Sequence, residues 1–412
     1  MDKVVGFTPV GDNTFLVQNP ENSIAIETSQ ESKFKRSIKT NQSAVHLNVG
    51  GNCFNQLKGN DIMKNNKYVF LILLSISLVS CSRMQNIPKN ATQNNASRQF
   101  AKGADIGWLS QMEATNFHFF DVDGTQKECL QLLKDRGINT VRLRVWVNPS
   151  SDNINGHCST AETVAMAVRA KNLGMRVMID FHYSDSWADP GKQTKPAAWT
   201  NHSFPTLLND VYNHTFDVLM ALHVAGVTPE WVQIGNEIPS GILWPDGHTN
   251  NFSQLAQLLN KGYEATKNIN TTIKVIIHLD QGNDNGRFRW FFDLATANHV
   301  KYDVIGMSYY PYWLGSDYTV TINNLTANLA DMVSRYNKEV MVVEVGGDFT
   351  LVQNTNNMLA AVIYAVKNVP NNKGLGVVYW EPEGAKSWSN YQLNCWQNDG
   401  KPSAALNAFL VN

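Results

Sequence analysis

Residues 125–149 read TQKECLQLLKDRGINTVRLRVWVNP and show how most of the chain is built. Apolar residues recur at helical spacing as far as Arg136, Gly137 follows, and a β-rich run then extends from Thr140 to Val145. A glycine in this place suits the left-handed backbone that ends a helix and lets the chain turn into a strand. The stretch therefore predicts a helix followed by a strand, the repeating unit of a parallel sheet.

This pattern repeats from Phe100 to the end of the chain. Strands are predicted at 103–106, 140–145, 176–181, 231–234, 274–279, 304–307, 340–343 and 375–379. Helical patterns lie at 125–136, 161–172, 205–223, 254–268, 289–297, 323–336, 357–369 and 403–410. No G-x-G-x-x-G or Walker sequence follows an early strand, as a nucleotide-binding sheet would require. The prediction is an α/β fold in which residues 100–412 form one (β/α)8 TIM-barrel domain.

The composition narrows the choice of partner. With 34 Lys and Arg against 35 Asp and Glu, the formal net charge is -1, and the basic residues form no long run. Such a chain has no field to gather nucleic acid or anionic lipid, so we expect no nucleic-acid partner and a small or uncharged ligand. We also expect a monomer. All 11 Trp residues fall between Trp108 and Trp396, which separates the first hundred residues from the rest.

The segment 63–81, MKNNKYVFLILLSISLVSC, has the order of a bacterial lipoprotein signal. Two lysines precede an apolar run at 68–79 that is short for a membrane span but suits the core of a signal peptide. The last four residues resemble a lipobox, which implies cleavage before Cys81 and a lipid on that residue. The alternative is a buried apolar strand or helix.

A signal peptide belongs at the N-terminus, yet 62 residues precede Met63. We therefore predict that residues 1–62 are a non-native extension, 63–80 a cleaved signal peptide and 81–99 a polar, flexible tether. The alternative is a small genuine segment with strands near 15–17 and 45–49. The expected location is the bacterial cell envelope, with a lipid anchor at the outer membrane or cell surface as the only membrane contact, or the secreted fraction.

Cysteines and histidines give no indication of a metal site. The chain has five Cys and no C-x-x-C or H-E-x-x-H spacing, so neither a disulfide scaffold nor a zinc site is predicted. Cys129 falls on the apolar side of a helical pattern and is interpreted as a packed thiol. Cys158 and Cys395 fall in loops, and whether they pair stays open. We expect no metal and no cofactor.

Two strand ends each carry a glutamate. Strand 231–234 leads through Asn236 into Glu237, and strand 340–343 leads directly into Glu344. In a TIM barrel the carboxyl ends of the strands carry the active site. Two carboxylates there suit cleavage of a glycosidic bond, because one protonates the departing oxygen while the other attacks or activates water. One such glutamate alone would be interpreted as a salt-bridged rim residue, but the pair favours catalysis.

The remaining strand ends carry polar and aromatic residues that suit a sugar. Arg142 and Arg144 share one face of strand 140–145, so we expect an arginine to reach the barrel mouth and hold a carboxylate ionised. Tyr and Trp faces stack on pyranose rings, while Asn, Asp and His take the hydroxyl groups; the histidines are assigned to binding rather than proton transfer. The predicted substrate-binding residues are Arg144, Asn236, His182, Asp185, Trp187, His278, Asp280, Tyr309 and Trp380.

Several longer motifs follow one another between residues 100 and 410. They include RLRVWVNP at 142–149, WADP at 187–190, GNE at 235–237, SYYP at 308–311 and WEP at 380–382. On these residues the sequence resembles glycoside hydrolase family 53, the endo-β-1,4-galactanases. The resemblance implies that Glu237 is the acid/base and Glu344 the nucleophile of a retaining enzyme. Retaining enzymes hold the two carboxyl groups about 5–5.5 Å apart, against roughly 6.5–9.5 Å in inverting ones.

The resemblance further implies an endo-acting hydrolase of β-1,4-galactosidic linkages in galactan or type I arabinogalactan, the side chains of pectin. The sequence departs from the family in two places. Residues 345–349 offer too few oxygen ligands for the calcium loop of some bacterial members, and EPEG at 381–384 replaces an aromatic-rich stretch. Alternatives are another retaining β-glycanase of the same clan, a mannanase or glucanase, or a non-catalytic glycan-binding lipoprotein.

The native N-terminus tests the predicted start of translation and the lipid anchor together. Intact mass and peptide mapping of protein isolated from its source should give a chain that begins at Cys81 and carries the added mass of a lipid. A peptide from residues 1–62 would contradict the predicted start at Met63. A mature chain that begins at Cys81 without added mass would support the predicted cleavage of the signal peptide but contradict the predicted lipid anchor.

Overall fold

The structure is a computed structural model of the whole chain. It describes residues 99–150 and 157–411 in full and, nearer the N-terminus, the backbone of five strands at 6–9, 14–19, 22–27, 35–40 and 43–48. The predicted signal peptide at 63–80, Cys81 and the tether up to residue 98 lie outside the described residues. The chain divides into two compact units, Met1–Asn94 and Asn95–Asn412.

In the first unit, neighbouring strands run antiparallel in a five-stranded sheet of sequential order. The strands are β1 (Gly6–Pro9), β2 (Thr14–Asn19), β3 (Asn22–Glu27), β4 (Lys35–Thr40) and β5 (Ser43–Asn48). Two of them cover the segments near 15–17 and 45–49 that the sequence offered as strands of a genuine N-terminal segment. The absence of residues 1–62 from the native protein stays a prediction, which the N-terminal mapping described above would test.

The second unit is a closed barrel of eight parallel strands, which confirms the predicted fold. The eight barrel strands are β6 (Ala101–Asp105), β7 (Thr140–Val145), β8 (Arg176–Phe181), β9 (Trp231–Ile234), β12 (Lys274–Leu279), β13 (Val304–Tyr309), β14 (Glu339–Val345) and β15 (Gly374–Tyr379). A separate two-stranded hairpin, β10 (Gly241–Ile242) and β11 (Gly247–His248), lies between β9 and β12 in the chain. Closure pairs β15 with β6 and β9 with β12. The polar mouth residues of β13 and β14 still pair across the sheet, so both strands run further than predicted.

Helices surround the barrel. They are α1 (Leu109–Ala114), α2 (Cys129–Asp135), α3 (Thr160–Asn172), α4 (Phe204–Val224), α5 (Phe252–Ile269), α6 (Asn285–Ala297), α7 (Tyr318–Tyr336), α8 (Val352–Lys367) and the short α9 (Lys386–Ser389). Short 3-10 segments lie at Ala197–Trp199, Thr249–Asn251, Pro311–Leu314, Pro370–Asn372 and Ala404–Phe409. A capping box between Ser159 and Glu162 starts α3. The last predicted helix, 403–410, is thus a 3-10 segment.

Two apolar layers hold the barrel together. Side chains alternate along each strand, so one set fills the barrel interior and the other packs against the helices. The interior set comprises Ala101, Met178, Trp231, Ile276, Val304, Met341, Val343, Leu375 and Val378. Above this layer, toward the carboxyl ends of the strands, the inward positions become polar. This change creates the floor of the site described next.

Other sequence-based expectations can be compared with the described residues. Cys129, Cys158 and Cys395 are all free and buried, so the thiols of Cys158 and Cys395 do not pair. Within the part of the chain that the structure describes, no helix is long and apolar enough to cross a membrane.

Candidate active site

Strand β9 presents Glu237 at the mouth of the barrel. Trp231 and Gln233 point inward, and the chain then leaves the strand through Gly235, whose φ is +81°. Glu237 itself has a φ of +45°, a left-handed conformation that few residues other than glycine adopt. This tight turn places the carboxyl group of Glu237 in a cleft of about 400 Å³ rather than in the sheet.

Glu344 reaches the same cleft because β14 contains a bulge. Its pairing with β13 steps from Met307–Val342 to Ser308–Glu344, so Val343 is an extra residue. Val343 fills the barrel interior, and simple alternation would then turn Glu344 outward. The extra residue restores the inward direction, as bulges next to active sites often do. Glu237 and Glu344 therefore line one cleft.

Arg142 ties Glu344 to the floor of the cleft. Its guanidinium lies 3.0 Å from Glu344 Oε1, donates to Asp180 at 2.9 Å and to Asn236 Oδ1 at 2.8 Å, and pairs with Asp105. Arg142 is only 1% exposed. The other carboxylate oxygen of Glu344, Oε2, accepts a hydrogen bond from the hydroxyl of Tyr310 at 3.1 Å. A buried charge needs such partners, and these hold the carboxylate of Glu344 in one orientation.

The two glutamates differ in their tendency to ionise. Burial, and then the charge of Glu344, raise the pKa of Glu237 well above its ordinary value. Burial also raises the pKa of Glu344, but Arg142 and the hydrogen bond from Tyr310 oppose that rise. A neutral carboxylic acid beside an ionised carboxylate is the arrangement that glycosidic cleavage needs. The cause is environmental, since the two side chains are identical.

The prediction of Tyr309 as a substrate-binding residue is wrong. Inward positions on β13 are even-numbered, and the fully buried ring of Tyr309 faces the helix side, where its hydroxyl hydrogen-bonds Thr321 at 2.9 Å. Its neighbour Tyr310 has the inward direction and lines the cleft. Strand parity in the sequence, with Ser308 and Tyr310 on one face, could have found this.

Arg144 and His182 were also predicted to bind substrate, but both are consumed by contacts within the protein. Arg144 is 2% exposed, pairs with Glu381, and lies 4.3 Å from the ring centroid of Trp187. His182 accepts from Trp146 Nε1 and Ala188 N, both at 3.2 Å, so its other nitrogen donates to Asp180. Both side chains are buried and neither lines the cleft, so we interpret them as supporting its walls rather than contacting a sugar.

Other predicted binding residues lie beneath or beside the cleft. Asn236 and His278 are 6% and 0% exposed and hydrogen-bond each other at 3.1 Å. Asp185 accepts from the backbone of Asn148 and Ala197 and so ties two loops together. Trp187 packs against its neighbours Trp108, Trp146 and Trp380, and these rings form one aromatic wall.

Asp280 and Trp380 line the cleft, and their role in binding substrate stays a prediction. Burial raises the pKa of Asp280, and its ion pair with Arg287 opposes this. The sequence-based prediction missed several lining residues on the loops after the strands, where no strand parity applies: Pro190, Gln281, Asn283, Trp313, Leu314 and Tyr391. Trp313 is 63% exposed, which is unusual for a large aromatic side chain. The sequence does not reveal this exposure.

A metal site in the described residues would need a group of side chains that could bind the ion. Across residues 99–150 and 157–411, no three His, Cys, Asp or Glu side chains are grouped so that they could hold a metal ion. The polar groups of the cleft are instead paired with one another through Arg142 and its partners.

A (β/α)8 barrel with two unequally ionising glutamates in one aromatic-walled cleft defines a glycoside hydrolase. The sequence profile of glycosyl hydrolase family 53 matches residues 101–409, and the chain belongs to this family.

Two named relatives and one solved structure each match 69–75% of this chain. The chain is 34% identical over 311 residues to the endo-beta-1,4-galactanase of Bacillus subtilis (strain 168), covering 69% of this chain and 70% of that protein. It is 33% identical over 343 residues to the arabinogalactan endo-beta-1,4-galactanase of Thermothelomyces thermophilus, covering 75% and 98%. The GH53 catalytic domain of Ignisphaera aggregans superposes with a TM-score of 0.70 at 30% identity, covering 75% and 95%.

The neighbouring tyrosines of β13 provide a matched test of the cleft geometry. Tyr310→Phe removes the hydrogen bond that stabilises ionised Glu344, so we expect kcat/KM for glycan hydrolysis to fall about 10–100-fold. The same loss raises the pKa of Glu344, so the acid limb of the pH–rate profile should move to higher pH.

Tyr309→Phe is the control, since it removes a buried, hydrogen-bonded hydroxyl of the neighbouring residue outside the cleft. It should lower stability by about 0.5–1.5 kcal/mol and leave kcat unchanged. Equal losses of kcat in the two variants would contradict the inward direction of Tyr310.

Proposed function

We propose that this chain is an endo-acting, retaining glycoside hydrolase that cleaves β-1,4-galactosidic linkages in galactan and type I arabinogalactan. The observation that carries the proposal is the presence of Glu237 and Glu344 in one cleft. Of these two glutamates, Glu344 is the one that forms an ion pair with Arg142. In the proposed reaction, Glu344 attacks the anomeric carbon while Glu237 gives its proton to the departing glycosidic oxygen. Glu237 then takes a proton from water, which releases the sugar from Glu344.

The names of the relatives support galactan as the substrate. Proteins about a third identical over most of this chain are called endo-beta-1,4-galactanases or arabinogalactan endo-beta-1,4-galactanases. The near-zero net charge of the chain is compatible with a neutral polysaccharide. A mannanase or glucanase activity is less favoured, because the relatives about a third identical to this chain carry galactanase names.

The rim of the cleft supports binding of more than one sugar. Trp313 lies on the 3-10 segment that follows β13, and its ring meets that of Tyr312 edge-on at 4.9 Å. Trp380 and Tyr391, whose ring centroids lie 4.8 Å apart, line the same cleft. Several aromatic surfaces along one cleft suit a polymer with more than one bound sugar, which is the expectation for an endo-acting enzyme.

Attachment to the cell surface is a separate part of the proposal. It rests on the order of charged, apolar and small residues in 63–80 and on Cys81 after them. A surface-held enzyme would meet a polymer too large to enter the cell. Outer-membrane anchoring, cell-surface display and secretion stay predictions, as does the monomeric state.

Linear potato galactan is the substrate that tests the proposed activity. The wild-type protein should release galacto-oligosaccharides of several lengths, seen by chromatography, and proton NMR should show the β-anomer first. Glu344→Gln should lower kcat by at least about 10³-fold while galactan is still retained in affinity electrophoresis. Activity on mannan or a cellulose derivative alone would contradict the substrate, and unchanged turnover of Glu344→Gln would contradict the nucleophile.

Two exposed tryptophans test whether the rim binds outer sugars. Trp313→Ala should raise KM for long galactan about tenfold, because a stacking surface is lost, and leave hydrolysis of an aryl β-galactobioside unchanged. Trp290→Ala is the control, since Trp290 is 48% exposed on α6 and does not line the cleft. Equal effects of the two variants on KM would rule out the outer subsite.

A further inference from the structure

Asn236 fixes the direction of a chain of hydrogen bonds below the cleft. Its Oδ1 accepts from the guanidinium of Arg142 at 2.8 Å, and its Nδ2 donates to the carbonyl of Ala188 at 2.9 Å. A guanidinium only donates and a carbonyl only accepts, so the amide of Asn236 has a single orientation. The atom that it turns toward His278 is therefore an acceptor.

This orientation determines the tautomer of His278. Its Nδ1 lies 3.1 Å from Asn236 Oδ1, so Nδ1 must carry the hydrogen and donate it. The backbone N–H of Glu237 also points at Nδ1, but at 3.4 Å this contact is the weaker one. Burial, together with the charge of Arg142, lowers the pKa of His278 well below its ordinary value, so the ring is neutral. Nε2 of His278 is then an acceptor.

The consequence reaches Glu237 through Ser308. The hydroxyl of Ser308 lies 2.8 Å from His278 Nε2 and must donate to it. Ser308 Oγ lies 2.6 Å from Glu237 Oε1 and can donate to it when Glu237 is ionised. Once its hydrogen is given to His278, however, Ser308 Oγ has only lone pairs for that oxygen. A short contact between these two oxygens is satisfied when Glu237 carries a proton and donates it to Ser308. All three bonds are made only with Glu237 in its acid form.

We propose that Asn236, His278 and Ser308 form a directional hydrogen-bond relay that keeps the proton on Glu237 until the glycosidic oxygen takes it. The proposal rests on the proposed function, in which Glu237 is the acid. When its proton moves to the departing oxygen, which also receives the electron pair of the broken bond, the hydroxyl of Ser308 turns to the new carboxylate. His278 Nε2 then loses its donor, so the ionised state has one hydrogen bond fewer. His278 and Ser308 are positioning residues, since they act through Glu237.

Other charged and titratable groups face Glu237 and set the background for the relay. Glu344 on β14 and Asp280 after β12 disfavour its ionised form, whereas a hydrogen bond donated by Ser308 and the charge of Arg142 on β7 favour it. Tyr310, which follows β13, is neutral because burial and Glu344 raise the pKa of its hydroxyl. Substituting a neutral histidine leaves all these charges in place, so the relay can be tested separately from them.

His278→Phe removes the acceptor for Ser308 without removing a charge. Ser308 is then free to donate to ionised Glu237, and the alkaline limb of kcat on linear galactan should move about one pH unit lower. Adding Ser308→Ala removes that donation and should move the limb back up, so the two substitutions should be non-additive. His214→Phe is the matched control, a histidine packed among Phe181, Tyr183 and Trp199, and should leave the limb unmoved.

The tautomer can be measured in the wild-type protein, whether or not a variant folds. In ¹⁵N-histidine-labelled protein, the resonances of His278, assigned by their loss in His278→Phe or, failing that, by sequential backbone assignment, should be those of a neutral ring protonated at Nδ1. A ring protonated at Nε2, an imidazolium near pH 7, additive substitutions or an upward shift of the limb would each overturn the relay. Inactive wild-type protein on every glycan would instead overturn the proposed function, and the tautomer would still be measured.

Discussion

The ion pairs of Arg142 are the constraint on which the rest of the site depends. Its guanidinium is buried above the apolar interior of the barrel and contacts Asp105, Asp180 and Glu344, which come from three other strands, and the amide of Asn236. Removing one partner of a buried ion pair costs about 3–5 kcal/mol, because the remaining charge has no compensation. One cation therefore fixes the orientation of Asn236 and the positions of Glu344, Asp105 and Asp180.

Two chemically identical glutamates become different through this arrangement. Arg142 and Tyr310 contact Glu344, whereas the direct partner of Glu237 is the hydroxyl of Ser308. Burial raises the pKa of both carboxyl groups, and the charge of Glu344 adds to that rise for Glu237. Like charges in a poorly hydrated cleft favour one proton between them. The asymmetry thus comes from which side chains each strand places beside its glutamate.

A second buried ion pair supports the aromatic wall. Arg144 pairs with Glu381 and lies under the ring of Trp187, and Glu381 also accepts from the backbone N–H of Trp108. Trp108 and Trp380 meet edge-on at 5.0 Å, so the wall and the loop after β15 are held by the same contacts. The EPEG stretch at 381–384 therefore has a structural role: its first glutamate, Glu381, holds the aromatic wall rather than contacting a sugar.

The sequence, through its local periodicity, was sufficient to predict the repeating helix and strand units, the closed barrel that they imply and the two glutamates at strand ends. It also placed Asp280 and Trp380 in the cleft. Strand parity in the sequence was sufficient to choose Tyr310 over Tyr309, but the sequence could not show that Arg142 rather than Arg144 contacts Glu344. The bulge at Val343, the free thiols of Cys158 and Cys395, and the exposure of Trp313 were likewise beyond it. Strand register and loop conformation arise from contacts between residues far apart in the chain, and no local pattern records them.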